Sequence, residues 1–235
     1  MLLAGLSVTW LGHGTFLVVS PEGRRILIDP WLEGNPSCPP SARDVGAVDL
    51  ILVTHGHVDH VQDAAAVANA TGAPVVGIFE LCDWLAKKGV ATTAGMNKGG
   101  TQIQAGVRIT MVDARHSSSC AGEGGPAYLG EAAGYVLRFE NGLSVYFAGD
   151  TAVFGDMRLI RDLYRPAIAF LPIGDHFTMD PTAAATAVEL LGVRKVIPMH
   201  YGTFPMLTGT PAQLRELVAP LGVEVIELVP GQPVS

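Results

Sequence analysis

Short apolar segments follow one another along the chain, and their spacing alternates between that of strands and that of helices. The N-terminal part begins with predicted strands at residues 6–11, 16–19 and 25–29, and a Ser-Pro-Glu-Gly turn between the last two is typical of a hairpin. After the proline-rich residues 36–40, the pattern changes to strand–helix alternation. It predicts strands at 49–53 and 75–79 and helices at 61–70 and 81–88.

The second part of the chain shows the same order of elements, without a repeated sequence. Predicted strands at 134–140 and 143–148 surround an Asn-Gly dipeptide, which favours a tight hairpin. The other predicted elements are strands at 107–112, 168–171, 196–198 and 223–228 and helices at 159–164, 183–191 and 211–219. Strands followed by helices, twice, predict an α/β fold in which two sheets pack face to face between helices, a four-layer αβ/βα sandwich. We predict one domain over residues 1–235, with similar halves at about 1–98 and 99–235.

Composition excludes several classes of function. The net charge of -7 provides no basic surface for a nucleic acid, so we expect no nucleic-acid partner. No apolar stretch approaches the roughly 20 residues that cross a bilayer, and we expect no membrane association. The N-terminal apolar run lacks a basic region and is interrupted by Gly5 and Ser7, so no signal peptide is predicted.

Cysteine content and hydropathy add two expectations. The three cysteines are odd in number and far apart, which disfavours disulfides and a thiolate zinc site and favours a cytoplasmic location. A hydrophobic fraction of 49% and a mean hydropathy of +0.34 are compatible with a homo-oligomer, because apolar surface can remain outside the core.

The strongest chemical signal is the segment His55-Gly56-His57-Val58-Asp59-His60. It contains three of the seven histidines of the chain and lies between a predicted buried strand and a predicted helix. Imidazole and carboxylate groups suit zinc, manganese or iron. On a strand-to-helix loop, His55 and His57 can point one way and Asp59 and His60 another, so that two metal ions share one loop.

Three further ligand-type residues follow apolar strands. His116 comes after the strand at 107–112, Asp150 after that at 143–148, and His200 after that at 196–198. Functional groups of layered α/β folds collect where strands end, so these residues are candidates for the same site.

This order of ligands, an HxHxDH loop followed by a distant His, an Asp and a last His, resembles the metallo-β-lactamase superfamily over the whole chain. The resemblance implies that one metal binds His55, His57 and His116, that the other binds Asp59, His60 and His200, and that Asp150 bridges both. The zinc β-lactamases that hydrolyse antibiotics usually have a cysteine at the position of Asp150. Antibiotic hydrolysis is therefore not expected as the main activity.

Four other segments, at residues 11–14, 28–31, 147–151 and 171–179, are similar to a group of small, single-domain metal-dependent hydrolases related to ascorbate-phosphate lactonases. That group commonly has Ser or Ala at position 14 and Asn at position 176. Gly14 and His176 depart from this pattern, and we expect the departures to affect the substrate pocket rather than the metal site.

Several polar residues near these motifs have two interpretations each. His13, between two glycines, either faces the metals behind their ligands or occupies a tight turn. Asp29 either holds a ligating histidine by its other ring nitrogen or caps a loop. Asp175 and His176 either contact substrate or lie in a turn, and the serine-rich residues 117–120 are interpreted as a solvated loop.

These residues favour a hydrolase with two divalent metal ions, preferably zinc, with manganese or iron as alternatives. Two ions bridged by Asp150 would generate a metal-bridging hydroxide, with Asp59 able to accept a proton, and the expected substrate is a small ester, lactone or phosphoester. An iron-dependent oxidoreductase similar to a thiol dioxygenase needs one iron, and the complete second ligand set argues against it. A non-catalytic metal-binding module must explain why all seven ligands are present.

Overall fold

A computed structural model describes residues 3–122 and 125–235 of the chain. Residues 1 and 2, the start of the segment considered above for a signal peptide, lie outside the described residues. The strands, in chain order, are β1 Ser7–Trp10, β2 Phe16–Val19, β3 Arg25–Ile28, β4 Leu50–Leu52, β5 Val75–Ile78, β6 Thr93–Met96, β7 Thr101–Gln104, β8 Val107–Asp113, β9 Ser119–Gly122, β10 Gly125–Tyr128, β11 Ala133–Arg138, β12 Ser144–Phe147, β13 Ile168–Pro172, β14 Lys195–Met199, β15 Glu224–Val225 and β16 Pro233–Val234. The helices are α1 Val58–Val61, α2 Ala64–Thr71, α3 Phe79–Lys87, α4 Met157–Tyr164, α5 Pro181–Leu191 and α6 Pro211–Val218, with 3-10 turns at Pro40–Ala42 and Ala219–Leu221.

The strands form two seven-stranded sheets and one separate hairpin. The first sheet has the order β16-β1-β2-β3-β4-β5-β6, the second has the order β15-β14-β13-β12-β11-β8-β7, and β9 pairs with β10. Helix α3 packs on strands of the first sheet, and α5 and α6 pack on strands of the second. The predicted α/β class and layered sandwich are confirmed.

The core lies between the two sheets. Phe16 of β2 makes edge contacts with Phe147 of β12 and Phe170 of β13, at ring-centroid distances of 5.7 and 5.1 Å. The buried Tyr135 hydroxyl of the second sheet donates a hydrogen bond of 2.7 Å to the Val53 carbonyl that follows β4 of the first. Side chains of this size, buried from both sheets, fix the two sheets against each other.

The direction of the strands brings their carboxyl ends to one edge of each sheet. Strands β1 and β3 both pair antiparallel with β2, and β3 and β4 are parallel, so β1, β3 and β4 run the same way. By the same reasoning β8, β12, β13 and β14 share one direction in the second sheet. The residues that follow these seven strand ends include every candidate that the sequence placed after a strand.

The single helix predicted at residues 61–70 is wrong in its bounds. Two helices, α1 and α2, occupy this region and are separated at residues 62–63. Asp63 lies at this interruption with non-helical φ and ψ angles of -99° and 2°, and its Oδ2 accepts hydrogen bonds from the backbone N–H groups of Leu32 and Glu33 at 2.6 and 3.0 Å. Asp59 and His60 therefore lie on the first turn of α1 rather than on a loop.

Several strands were not predicted. β6 and β7 have few buried side chains, and the β9–β10 hairpin is largely exposed, so none of them shows the apolar alternation of a half-buried strand. The strand expected at 223–228 pairs only over Glu224–Val225. In the part of the chain that the structure describes, no helix combines the length and apolar character needed to cross a bilayer.

Candidate metal centre

The first group of candidate ligands is made by His55, His57 and His116. Nδ1 of His57 lies 3.0 Å from Nε2 of His55 and 3.2 Å from Nε2 of His116. Ligands about 2 Å from a tetrahedral zinc ion are about 3.3 Å apart, so these spacings fit a common metal ion. His55 follows β4 and His116 follows β8, so the group joins the two sheets.

Asp150 lies at the centre of the whole site. Its Oδ2 is 3.0 Å from Nε2 of His200, 3.4 Å from Nε2 of His60, 3.7 Å from Nε2 of His116 and 4.0 Å from Nε2 of His55. One carboxylate oxygen is therefore close to histidines of both predicted metal sets. Asp150 therefore joins the two groups of histidines through a single carboxylate oxygen.

The second group contains Asp59, His60 and His200. Oδ2 of Asp59 lies 3.9 Å from Nε2 of both His60 and His200. His13 also belongs to this group, because its Nε2 is 2.9 Å from the same oxygen of Asp59. The structure thus brings together all seven predicted ligands and adds His13 beside them.

Several buried polar atoms of these side chains have no hydrogen-bond partner. Nε2 of His60, Nε2 of His200 and Oδ1 of Asp150 are buried and make no hydrogen bond of good geometry, although both nitrogens face Oδ2 of Asp150. A buried polar group without a partner is costly, and several that converge on one point are best satisfied by a cation. The donor set, made of imidazoles and carboxylates, fits zinc, manganese or iron.

Asp29 supports His60 from the side away from the candidate metals. Its Oδ2 lies 2.8 Å from Nδ1 of His60, and the backbone N–H and hydroxyl of Thr54 donate to the same carboxylate at 2.7 and 2.6 Å. A carboxylate on the second ring nitrogen fixes the orientation and tautomer of a ligating histidine. Of the two interpretations of Asp29, the structure supports the one in which it holds a histidine.

The electrostatic environment favours an ionised Asp150 and a charged His60 in the metal-free chain, whereas burial raises the pKa of Asp29. Burial alone would raise the pKa of Asp150, but His200 and His60 hold it well below its ordinary value. Burial alone would lower the pKa of His60, but Asp150 and Asp29 raise it well above its ordinary value. Burial and the neighbouring His200 lower the pKa of His13 to about 4. His13 is therefore neutral at physiological pH and forms its hydrogen bonds as an uncharged imidazole.

His13 positions Asp59. One ring nitrogen contacts Asp59, and the other lies 2.9 Å from the hydroxyl of Thr203. Both nitrogens of this buried ring are therefore satisfied, and the ring is fixed between them. The structure supports the interpretation of His13 as a residue behind the metal ligands, with direct binding to the second metal as the alternative geometry.

Backbone strain concentrates at this site. His13, Asp29 and His200 all have positive φ angles, of 56°, 48° and 56°. Residues other than glycine adopt this left-handed conformation at an energetic cost and are held there only when the surrounding structure requires it. Asp29 and His200 lie directly after β3 and β14, and His13 lies three residues after β1, where the chain must turn sharply to point these residues inward.

The serine-rich segment is not the solvated loop that the sequence suggested. Ser118 is buried, and its hydroxyl accepts a hydrogen bond of 3.0 Å from the backbone N–H of Gly56, between the two histidines of the motif. The hydroxyl of Ser117 lies 3.2 Å from Nε2 of His57. Sequence reasoning missed these supports because hydroxyl groups carry no spacing signal of their own.

The mouth of the site is a cavity of about 350 Å³, hereafter the metal pocket. Phe177, with 53% of its surface exposed, lines it beside the candidate ligands and was not singled out from the sequence. His176 is exposed and contacts the edge of Phe177, while Asp175 lines a separate cavity with Asp180 and Thr208. The structure therefore does not bring Asp175 or His176 to the wall of the metal pocket.

Gly14 makes room for the ring of His60, so the expectation that this departure affects the substrate pocket rather than the metal site is wrong for Gly14. A Cβ atom at position 14 would lie 2.6 Å from Cε1 of His60, which is closer than two carbon atoms approach. We expect Gly14→Ala to displace this ring and to weaken binding of the second metal about 10- to 100-fold. Competition with a chromophoric chelator measures the affinity, and Gly155→Ala, at a site with open space around it, is the matched control. Equal affinities of the two variants would contradict the prediction.

Comparisons with known proteins agree with this geometry. A family model described as the β-lactamase superfamily domain matches residues 24–201. A UPF0173 metal-dependent hydrolase of Koribacter versatilis is 52% identical over 230 residues, which cover 98% of each chain. A protein with the same family name from Roseiflexus sp. strain RS-1 is 52% identical over 237 residues and 97% of each chain.

A solved structure gives the same result. Igni18, described as a metallo hydrolase from the hyperthermophilic archaeon Ignicoccus hospitalis, superimposes with a TM-score of 0.87 at 36% identity, covering 97% of both chains. The family model spans well over half of the chain, and the relatives match nearly all of it. The chain therefore belongs to the metallo-β-lactamase superfamily and, within it, to the UPF0173 family of metal-dependent hydrolases.

Proposed function

We propose that the chain is a binuclear metal-dependent hydrolase of a small ester, lactone or phosphoester. The observation that carries this proposal is the position of Asp150, whose Oδ2 lies within 4.0 Å of two histidines from each proposed ligand set. His55, His57 and His116 would hold one ion, and Asp59, His60 and His200 the other, with Asp150 shared. Zinc is the preferred ion, and manganese and iron suit the same donors.

The chain's own residues would then carry out three tasks. The metal ions, when bound, supply an activated water molecule and polarise the substrate oxygen. Asp59, fixed by His13 and facing the metal pocket, is placed to take the proton that water releases and to return it to the leaving oxygen. Phe177 covers part of the pocket with an apolar surface, which limits the access of bulk water.

The size of the metal pocket supports a small substrate. A volume of about 350 Å³ is at the lower end of the range of small-molecule sites. The reaction adds the oxygen of water to the acyl carbon or phosphorus, and the bond from that atom to the leaving oxygen breaks. This addition of water and loss of the leaving oxygen would be the same at an acyl or a phosphoryl centre.

Metal analysis tests the proposal. We expect nearly two zinc or manganese ions per chain in protein purified without a chelating tag, fewer in His57→Ala, and hydrolysis of at least one substrate among 4-nitrophenyl acetate, γ-butyrolactone and bis(4-nitrophenyl) phosphate. His176→Ala is the matched control, because His176 is exposed and outside the ligand groups. One iron per chain, or no turnover of any of the three by fully loaded protein, would overturn the proposal.

A further inference from the structure

A second cavity continues from the metal pocket. It has a volume of about 420 Å³ and shares His116 and Ser117 with the metal pocket. Its other walls are residues 118–119 and the hairpin strand β10 with the residues that follow it, including Tyr128 and Glu131. A substrate whose reacting bond lies at the metals can therefore extend past His116 into this space, which we call the hairpin subsite.

The hairpin subsite is fixed to the metal-binding loop. The Gly56 N–H donates to the hydroxyl of Ser118, and a Cβ atom on Gly56 would lie 2.6 Å from Cδ1 of Leu129, so Leu129 packs directly on the backbone between His55 and His57. The N–H of Leu129 also donates to the carbonyl of Ser118 at 3.3 Å. Both walls of the subsite are thus held at a constant position relative to the metal ligands.

Tyr128 gives the hairpin subsite an aromatic wall. Its side chain is 68% exposed, although it lines a cavity, and it pairs across the hairpin with Ser119. An exposed aromatic ring at the edge of a cavity offers a flat apolar surface on which another ring can stack. Phe177 offers a similar surface in the adjoining metal pocket.

The charge of the hairpin subsite disfavours an anionic group in the part of the substrate that occupies it. No lysine or arginine is among the described residues that line either cavity. Lys98 contacts this wall through Glu131 at 3.0 Å, but it is also paired with Asp113. A phosphate in the hairpin subsite would therefore face the Glu131 carboxylate, and Lys98, which lies near it, is already shared between two carboxylates.

We propose that the hairpin subsite binds the non-reacting part of the substrate, that this part is uncharged and contains a planar ring, and that Tyr128 stacks on it. The preferred substrates are then aryl or ring-bearing carboxylic esters and lactones rather than phosphorylated compounds. This statement about substrates rests on the proposed hydrolase function, whereas the binding preference of the subsite does not.

Hydroxamates test the binding preference without any turnover. Benzohydroxamate and acetohydroxamate bind metals through the same group and differ only by the ring. We expect titration calorimetry on zinc-loaded protein to show that benzohydroxamate binds about 10-fold more tightly, and that Tyr128→Ala reduces this ratio to about 2-fold, since stacking of aromatic pairs is of this order. Tyr128→Phe should retain most of the ratio, because it keeps the ring.

Phe79→Ala is the matched control, because Phe79 is 63% exposed and lines neither cavity. The metal content and thermal midpoint of each variant are measured alongside. A ratio that is the same in Tyr128→Ala as in the wild-type protein would overturn the stacking role. If Tyr128→Ala does not fold, Tyr128→Leu replaces it and is judged by the same ratio.

A second pair of probes tests the charge preference. We expect 4-carboxybenzohydroxamate to bind about 10-fold more weakly than the uncharged 4-carbamoyl compound, and Glu131→Gln to narrow this difference. Equal or tighter binding of the charged probe would overturn the preference for uncharged substrates. Absence of hydrolysis would instead reject the proposed function while leaving both binding ratios measurable, so the two failures are distinguishable.

Discussion

Asp150→Ala is expected to abolish hydrolysis and to remove most of the bound metal. Four histidine nitrogens lie 3.0–4.0 Å from the Oδ2 atom that this change deletes, and no other carboxylate lies among all four. Without the shared carboxylate, both proposed ions lose a ligand, and no negative charge common to both ligand sets remains to offset the repulsion between the ions. We expect kcat/KM to fall on the order of 1,000-fold or more, as for the loss of a central charge-stabilising group.

The measurement combines metal content with turnover at saturating zinc. Asp156→Ala is the matched control, because Asp156 is an exposed carboxylate six residues further along the chain with no side-chain hydrogen bond at the start of α4. Asp150→Ala that keeps two ions per chain and more than a tenth of the activity would reject a shared ligand at this position.

Asp29→Ala should destabilise the metal-free protein more than any surface change. The fully buried carboxylate accepts from Thr54 twice and from His60, and its removal leaves these donors without a partner. We expect the free energy of unfolding to fall by about 3–5 kcal/mol, the range for breaking a buried ionic pair by deleting one member. The left-handed backbone at position 29 adds to this cost, because alanine tolerates it less well than aspartate does.

Urea unfolding with added chelator measures the loss of stability. The Asp29→Asn variant separates the contribution of the carboxylate from that of the left-handed backbone. Asparagine keeps the volume and tolerates positive φ, so it loses only the charge and part of the hydrogen bonding. Asp44→Ala, an exposed carboxylate whose oxygen accepts only from the nearby Gly46 N–H, should change stability by less than about 0.5 kcal/mol. Similar midpoints for Asp29→Ala and Asp44→Ala would show that the buried network contributes little.

The layered fold and the metal ligands could be predicted because their signals are local. Buried strands are short apolar runs, and a cluster such as His55 to His60 directly after one of them is rare by chance. The ligand-type residues that follow the buried strands could therefore be identified from the sequence. The edge strands β6 and β7 could not be identified, because few of their side chains are buried and neither strand shows the apolar run of a buried strand.

The supports of the site could be predicted only in part. Asp29 was a candidate because it ends an apolar strand, but its contact with His60 depends on the packing of β3 beside β4. Ser118, Thr203 and Phe177 reach the site from segments whose composition resembles that of ordinary loops. The positive φ angles of His13, Asp29 and His200 likewise depend on tertiary structure, because Asp and His only tolerate this conformation better than most residues and do not by themselves indicate it.

The division of the proposed ligands between the two sheets has a consequence for how the protein acquires its metals. Four of them follow β4 of the first sheet and three follow β8, β12 and β14 of the second, so contacts between residues far apart in sequence must form before either ion has its full set. Proteins dominated by such non-local contacts fold slowly. During synthesis, a nascent chain that has not yet reached His200 offers only fragments of the site, such as the short motif at His55 to His60. We therefore expect the complete ligand sets to form late in folding, when both sheets have assembled, so that the ions present at that stage are the ones that bind.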